Sequence, residues 1–250
     1  MATSKEAQRN HDALFANQRS TPKETDPELV EAFDNWAFDE VLAESVLDTR
    51  TRLVVQLAAI IARQAVNEYR VMLGGALNVG VTPIEVKEIV YQAVPYVGMA
   101  PLSDFLNVTN EVLRARGITL PLDGQSTTTP ETRFEKGLTI QKRAFGDRID
   151  RMHKESPRDQ VHIQRFLAAN CFGDFYTRTG LDLKIRELLT FSMLAALGRC
   201  ESQLAGHVLA NVAVGNGRAV LVSAVTLLLP FIGYPRTLNA LRMINEGTSP

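Results

Sequence analysis

The sequence predicts an all-α protein made from two tandem copies of one helical unit. Helix-capping and helix-ending signals recur along the chain, and no stretch shows the sustained alternation of apolar and polar residues that is typical of strands. Short matches also recur at a near-constant offset, which is the signature of an internal repeat. The matched residues are Leu47, Asp48, Arg52, Val79, Gly80, Pro95, Gly98 and Asn110 in the first copy and Leu181, Asp182, Arg186, Val214, Gly215, Pro230, Gly233 and Asn245 in the second. We therefore expect helical hairpins packed as a bundle, built twice.

The chain divides into four segments. Residues 1–27 are polar and lack periodicity, so we expect a tail or an arm that orders only against a partner. Residues 28–117 form the first repeat, and 135–250 form the second. Residues 118–134 lie between them and are rich in turn formers and small polar residues, which is typical of a linker.

Local signals place the helix boundaries. Residues 82–85, Thr-Pro-Ile-Glu, match a capping box with proline at the first helical position. Asp182 is a plausible N-cap for an apolar helix that Gly198 would end. The next helix can then begin at Arg199 or Cys200 and run to the turn at 214–217.

Composition excludes several classes of protein. The net charge is −1 and the basic residues are scattered among 250 residues, so there is no continuous positive surface for nucleic acid. The apolar run 219–234 contains Pro230 and Gly233 and falls short of the roughly 20 residues that a bilayer requires, which argues against a membrane span. The chain has only two cysteines and its N-terminus lacks an apolar signal region, so we expect a cytoplasmic protein.

The two copies differ in their reactive side chains. The second copy carries Glu187, Cys200 and His207 at the positions where the first has Leu53, Ala65 and Met72. Taken singly, Cys200 could be an inert core residue, His207 a packed or surface histidine, and Glu187 part of a solvated helix face. Because all three are absent from the first copy, we expect that they belong to one functional site.

The helical spacing predicts how this set is arranged. On a continuous helix Cys200 and His207 would share one face with Gln203 between them, and a rise of about 10 Å would prevent a direct hydrogen bond. Coupling would run through Gln203, water, substrate or a carboxylate such as Glu187. A position near a helix N-terminus would also lower the pKa of the Cys200 thiol.

Three further polar residues are candidates. Asn211 follows His207 by one turn and could orient its ring, or could be an exposed residue. Tyr234 and Arg236 lie in a turn rich in proline and glycine, where arginine could bind a substrate carboxylate or be simply solvated.

No cofactor or metal is predicted. The four histidines are scattered without a close pair of ligands, no glycine-rich nucleotide signature follows a strand, and Cys171 has no second cysteine nearby and is expected to be buried.

Several motifs of the second copy resemble the carboxymuconolactone decarboxylase family. They are residues 172–175 (Phe-Gly-Asp-Phe), 180–182, 186–189, 195–198, His207, the turn at 214–215 and residues 231–235 (Phe-Ile-Gly-Tyr-Pro). The stretch 135–246 resembles one whole family member, and the first copy, 37–111, resembles it more weakly.

The resemblance implies an all-α fold assembled as a ring of subunits, with the site between neighbouring helical units. Three two-repeat chains would make a ring of six units. It also implies cofactor-independent decarboxylation of a small carboxylated lactone from aromatic-acid breakdown. In that reaction His207 would be the proton donor and Glu187 its partner, with Arg236 or Arg186 as substrate anchors and Gln203 and Tyr234 as further substrate contacts.

Two alternatives remain. The related alkyl hydroperoxidases use a glutamate, a Cys-x-x-Cys pair and a histidine, and this chain keeps Cys200 but has Gln203 at the second cysteine position. A thiol-dependent peroxide reductase would then need an external resolving thiol. The other alternative is a non-catalytic oligomeric binding protein.

Overall fold

The chain is described by a computed structural model that covers residues 2–16 and 21–248. Within these ranges every regular element is a helix and no residue lies in a strand, which confirms the predicted all-α class. The α-helices are α1 Lys5–Phe15, α2 Thr21–Thr25, α3 Pro27–Asn35, α4 Val41–Ala43, α5 Thr49–Ala62, α6 Val66–Asn78, α7 Pro83–Val97, α8 Met99–Ala115, α9 Arg133–Phe145, α10 Arg148–Glu155, α11 Val161–Phe166, α12 Leu183–Leu197, α13 Glu201–Ala213, α14 Arg218–Ile232 and α15 Tyr234–Gly247. Two segments, Trp36–Glu40 and Leu167–Tyr176, are π-helical.

The helices repeat in order, as the sequence predicts. Helices α5 to α8 correspond to α12 to α15, and a π-helical segment precedes each set. The turns after α5 and α12 also match, because Gln64 and Arg199 both have positive φ angles, 58° and 61°. Positive φ is uncommon outside glycine, so its recurrence at equivalent places identifies the same backbone path in both copies.

The predicted caps of α7 and α12 are confirmed, whereas α13 begins at Glu201 and not at Arg199 or Cys200. Thr82 and Glu85 form the complete capping box at the start of α7. The Asp182 carboxylate accepts a hydrogen bond from the Ile185 backbone N–H at 2.8 Å and caps α12. Gly198, with φ 67°, ends that helix.

Helices α5 and α12 form the centre of the core and pack against each other. Both are buried along most of their length, as expected for helices that are apolar on nearly every face. Helix α7 of the first copy packs on α12 of the second, and α14 of the second packs on α5 of the first. Each copy therefore completes the core of the other.

The expected N-terminal arm is wrong for residues 5–15. These residues form α1, which packs on α6 and on the first π-helical segment and buries Ala7, Leu14 and Phe15. Helix α9 holds the corresponding place in the second copy, against α13 and the second π-helical segment. The spacing of Ala7, Leu14 and Phe15 places them on one helix face. The many polar residues between them conceal this apolar face in the sequence. Residues 1 and 17–20 of the expected arm lie outside the described residues.

A buried ion cluster joins the two copies. Glu88 of α7 accepts hydrogen bonds from Arg186 of α12 at 2.8 Å and from Arg178 at 3.0 Å, and both Glu88 and Arg186 are fully buried. The Arg186 guanidinium also donates to Gln92 at 3.0 Å and to three backbone carbonyls. The expectation that Arg186 anchors a substrate is therefore wrong, because protein groups already occupy its donors.

The apolar run 219–234 is interrupted at Gly233, which ends α14. Among the described residues, no helix combines the length and the apolar character needed to cross a bilayer.

We predict that Glu88→Gln destabilises the fold strongly. Replacing the carboxylate leaves Arg186 without its counter-charge in a buried site, which costs about 3 kcal/mol of unfolding free energy. Urea unfolding followed by circular dichroism measures the change. The matched control is Glu111→Gln, whose partner Arg70 is exposed, and its cost should stay below about 1 kcal/mol. Equal effects of the two substitutions would contradict the structural importance of the cluster.

Candidate functional site

The structure pairs the carboxylate and the imidazole of the second copy. His207 Nδ1 lies 2.7 Å from Glu187 Oε2, and this contact joins α13 to α12. Glu187 is fully buried and His207 is 9% exposed. Because Nδ1 is hydrogen-bonded to the Glu187 carboxylate, Nε2 is the ring nitrogen that can contact a ligand.

Asn211 fixes the spacing of the same two helices. Its side-chain amide donates to the backbone carbonyls of Glu187 at 3.0 Å and of His207 at 2.7 Å, and it is fully buried. The sequence suggested that Asn211 either orients the imidazole ring or is exposed. Instead it holds the backbones that carry Glu187 and His207.

His207 lines a cavity of about 620 Å³. Gln203 lies on the same wall, one turn earlier on α13. Most of the lining is apolar and comes from α9, α10, α11 and the second π-helical segment; it includes Phe145, Ile149, Met152, Phe166, Leu167 and Phe172. The Phe145 ring meets the His207 imidazole edge to face at 5.1 Å. A volume of this size suits a small-molecule ligand.

Close packing of backbone brings α9 to this wall. A Cβ atom on Gly137 would collide with the Ala168 carbonyl oxygen, and one on Gly173 would collide with the Arg133 carbonyl oxygen. Only glycine allows the helix and the π-helical segment to approach so closely. This approach positions Gln141 and Phe145 of α9 in the cavity wall.

The first copy contributes Tyr96 to the cavity. Its ring centroid lies 6.2 Å from that of His207, and its hydroxyl lies 2.9 Å from the Tyr176 hydroxyl, which in turn lies 2.6 Å from Thr190 Oγ1. Burial raises the pKa of Tyr96 well above its ordinary value, and electrostatic interactions with the nearby Cys171, Tyr176 and Glu187 side chains raise it further. Tyr96 is therefore a neutral hydroxyl, able to donate a hydrogen bond.

Two polar atoms near the site are buried without a protein partner. They are Glu187 Oε1 and Gln141 Oε1, and Gln141 lines the cavity. A buried polar atom without a partner is costly, so such atoms commonly mark the place of water or a ligand. Arg148 supplies an exposed guanidinium to the same cavity and forms no ion pair among the described residues.

Sequence reasoning missed Tyr96, Gln141 and Arg148. Tyr96 could have been found by the comparison that singled out Glu187 and His207, because Phe231 stands at its place in the second copy. Gln141 and Arg148 carry no such signal, since α9 and α10 lie before the stretch in which the repeats match.

Cys200 does not share the cavity of His207. It is the N-cap of α13, with φ −137°, and its thiol donates to the Leu194 carbonyl oxygen at 3.3 Å. Because the helix begins at Glu201, Cys200 is outside the helical register that would place it on the face of His207. Burial raises the pKa of the Cys200 thiol, and the charge of Glu201 raises it further. The expected lowering of that pKa is therefore wrong.

Arg236 and Tyr234 also lie apart from His207. Arg236 lines a space of about 10 Å³ together with Cys200. Tyr234 is 59% exposed and stacks on Trp36 with the ring centroids 6.1 Å apart. Both belong to α15, which packs on α13 and α14 and contributes no residue to the cavity lining. Within one chain, the expectation that these two residues contact a substrate at His207 is therefore wrong.

Cys171, which the sequence placed in the core, is buried beside the cavity. Its sulfur lies 3.8 Å from the Tyr96 hydroxyl, and burial raises its pKa to about 12. Over the described residues no group of three or more histidine, cysteine or acidic side chains has a geometry that could hold a metal ion.

A smaller cavity of about 270 Å³ occupies the corresponding place in the first copy. Its lining includes Pro230, Phe231, Ile60 and Glu68, which stand where the larger cavity has Pro95, Tyr96, Leu194 and Gln203. Leu53 and Met72, the counterparts of Glu187 and His207, are both buried. The same architecture thus exists twice, and only the second copy holds the polar pair.

Comparison with known proteins identifies the family of the chain. The model of the carboxymuconolactone decarboxylase family matches residues 27–111 and again 162–246. A 4-carboxymuconolactone decarboxylase of Acinetobacter baylyi is 27% identical over 117 residues, which covers 46% of this chain and 87% of that protein. The second match begins at α11, so α9 and α10 lie outside it although they supply much of the cavity wall. The chain belongs to the carboxymuconolactone decarboxylase family, as a member with two tandem repeats.

Proposed function

We propose that this chain is a cofactor-independent decarboxylase that acts on a small carboxylated lactone or a related ring-cleavage product. The observation that carries the proposal is the Glu187–His207 pair at the wall of a largely apolar cavity. The similarity to a protein named 4-carboxymuconolactone decarboxylase supports the choice of substrate class.

The cavity suits binding of such a substrate. Its apolar walls would remove water from a ring and from the carboxylate that is to leave, which favours loss of carbon dioxide. Arg148 at the cavity would pair with a second carboxylate of the substrate and orient it. The unpartnered Gln141 oxygen would accept a hydrogen bond from a hydroxyl or a water molecule.

The reaction requires one proton transfer. The bond between the ring carbon and the carboxylate carbon breaks, carbon dioxide leaves, and the electron pair enters the conjugated lactone as a dienolate. Protonated His207 then transfers the proton on Nε2 to carbon, and a proton taken up from water restores it. Glu187 holds the imidazole through Nδ1 and so keeps Nε2 directed toward the cavity.

Tyr96 would stabilise the intermediate. The dienolate carries negative charge on its carbonyl oxygen, and a neutral hydroxyl in an apolar cavity is a strong donor to such an oxygen. The hydrogen bonds from Tyr96 through Tyr176 to Thr190 hold that hydroxyl in place before the substrate arrives.

We predict that His207→Ala lowers kcat by 10²- to 10⁴-fold on 4-carboxymuconolactone, the range that general acid catalysis typically contributes. Glu187→Gln should also lower kcat, because the imidazole loses the carboxylate contact at Nδ1 that orients its ring. Release of carbon dioxide measures turnover, and one deuterium on the product carbon in D₂O reports the proton transfer. His162→Ala removes an exposed histidine that does not line the cavity and should leave kcat unchanged. Full activity of His207→Ala would refute the proposal.

We predict that Arg148→Gln raises KM about tenfold and changes kcat little, because the lost contact binds substrate and transition state alike. Steady-state kinetics on the same lactone separates the two constants. The matched control is Arg236→Gln, which removes an arginine outside the cavity and should leave KM as it is. A larger effect at Arg236 than at Arg148 would show that the substrate binds elsewhere.

The peroxide-reductase alternative has less support from the geometry. Cys200 and His207 face different spaces, and the pKa values of both cysteine thiols are raised, whereas a peroxidatic cysteine needs its thiolate form. The cavity at His207 likewise favours an enzyme over the alternative of a binding protein without catalysis.

The ring assembly implied by the family resemblance stays a prediction. The side chains of Val161, Ile163 and Phe166 are apolar and exposed, and they offer surface for contact between subunits.

We predict that Cys200 reacts slowly with alkylating agents at neutral pH. Its pKa lies above the ordinary 9.0, so less thiolate is present at pH 7 than in an unfolded chain, and the rate should rise through pH 9 without a plateau. Iodoacetamide labelling of a Cys171→Ser variant, in which Cys200 is the sole thiol, measures this. The urea-unfolded variant is the control and should react faster. A rate plateau below pH 8 would restore the peroxidase alternative.

A further inference from the structure

A separate, polar cavity of about 370 Å³ lies between α7, α8 and the segment that joins the two copies. Lys87 and Tyr91 of α7, Asn110 and Arg114 of α8, and Arg178 from the second copy contribute polar groups to it. Residues 120–125 close one side. It shares no lining residue with the cavity at His207.

The charges around this cavity are unbalanced. Four cations, Lys87, Arg114, Arg178 and the buried Arg186 behind it, stand against two carboxylates, Glu88 and Asp123. Glu88 is already shared by Arg178 and Arg186, at 2.9 and 2.8 Å. These six groups therefore carry a net charge of +2.

Lys87 and Arg114 are the two cations of this cavity without a carboxylate partner. Neither forms an ion pair within the part of the chain that the structure describes, and the Lys87 ammonium donates to Asn110 Oδ1, a neutral acceptor. Burial lowers the pKa of Lys87, and the positive charge of Arg114 lowers it further. An anion between the two cations would relieve their repulsion and replace the lost hydration of the half-buried ammonium.

The walls are arranged to hold such an anion. The Arg178 guanidinium lies 5.1 Å from the centre of the Tyr91 ring and is fixed by Glu88, so it is held in place without a ligand. The cavity has the size of a small-metabolite site, and both lysine and arginine bind phosphate and carboxylate oxygens.

We propose that this cavity binds a small dianion, carrying either a phosphate group or two carboxylates, between Lys87 and Arg114. The site is separate from the proposed decarboxylase cavity and does not depend on it.

Isothermal titration calorimetry with inorganic phosphate and with malonate, at constant ionic strength set by chloride, tests the proposal. Both titrations use an R148Q background, which removes the arginine of the His207 cavity as a competing site. We expect saturable binding of at least one anion. Phosphate alone would assign the site to phosphate compounds, and malonate alone to dicarboxylates.

The K87M/R114M variant should bind at least about tenfold more weakly, because two charged contacts are lost while the apolar parts of both side chains are kept. Arg114→Met alone changes an exposed residue, carries little risk to the fold and should also weaken binding measurably. The matched control R9M/R242M removes two exposed cations from α1 and α15 and should bind as the background does. Absence of saturable binding to the unaltered cavity, or equal weakening in the control, would overturn the proposal.

Discussion

The packing of each copy onto the core of the other is the constraint on which the rest of the structure depends. Because α7 packs on α12, Tyr96 of the first copy reaches the cavity at His207 and Glu88 reaches Arg186. A single copy would expose the apolar faces of its central helix and would leave the buried Arg186 without its carboxylate. Duplication in one chain keeps the two halves together, so the partner wall of the cavity is always present.

The two copies show how one architecture can either hold reactive groups or exclude them. A buried carboxylate and imidazole are tolerated only because they satisfy each other, and even so Glu187 Oε1 has no protein partner. Leu53 and Met72 avoid that cost in the first copy. The first copy retains a cavity of about 270 Å³, less than half of the 620 Å³ at His207. The second copy is therefore less tightly packed at this place, and its larger cavity has a polar pair of side chains at the wall.

The thiol and the imidazole lie in separate environments because Cys200 is the N-cap of α13 and not part of the helix, as Ala65 is for α6 in the first copy. Gly198 and Arg199 both adopt positive φ in the turn before Cys200. The turn carries Cys200 to the N-cap of α13, beside Leu194 and Arg236. Seven residues later His207 faces the large cavity. A spacing that resembles a redox motif in sequence thus gives two separate environments, since Cys200 lies outside the helix that carries His207.

The sequence by itself determined the all-α class, the duplication, the caps at Thr82 and Asp182, and the selection of Glu187 and His207. Capping depends on neighbouring residues, and comparison of the copies needs no coordinates. The tertiary structure decided which side chains join that pair: Tyr96, Gln141 and Arg148 come from elements remote in sequence, whereas Arg236 does not reach the site. Helical periodicity shows which residues share a face, but the element that covers this face is set by packing between helices.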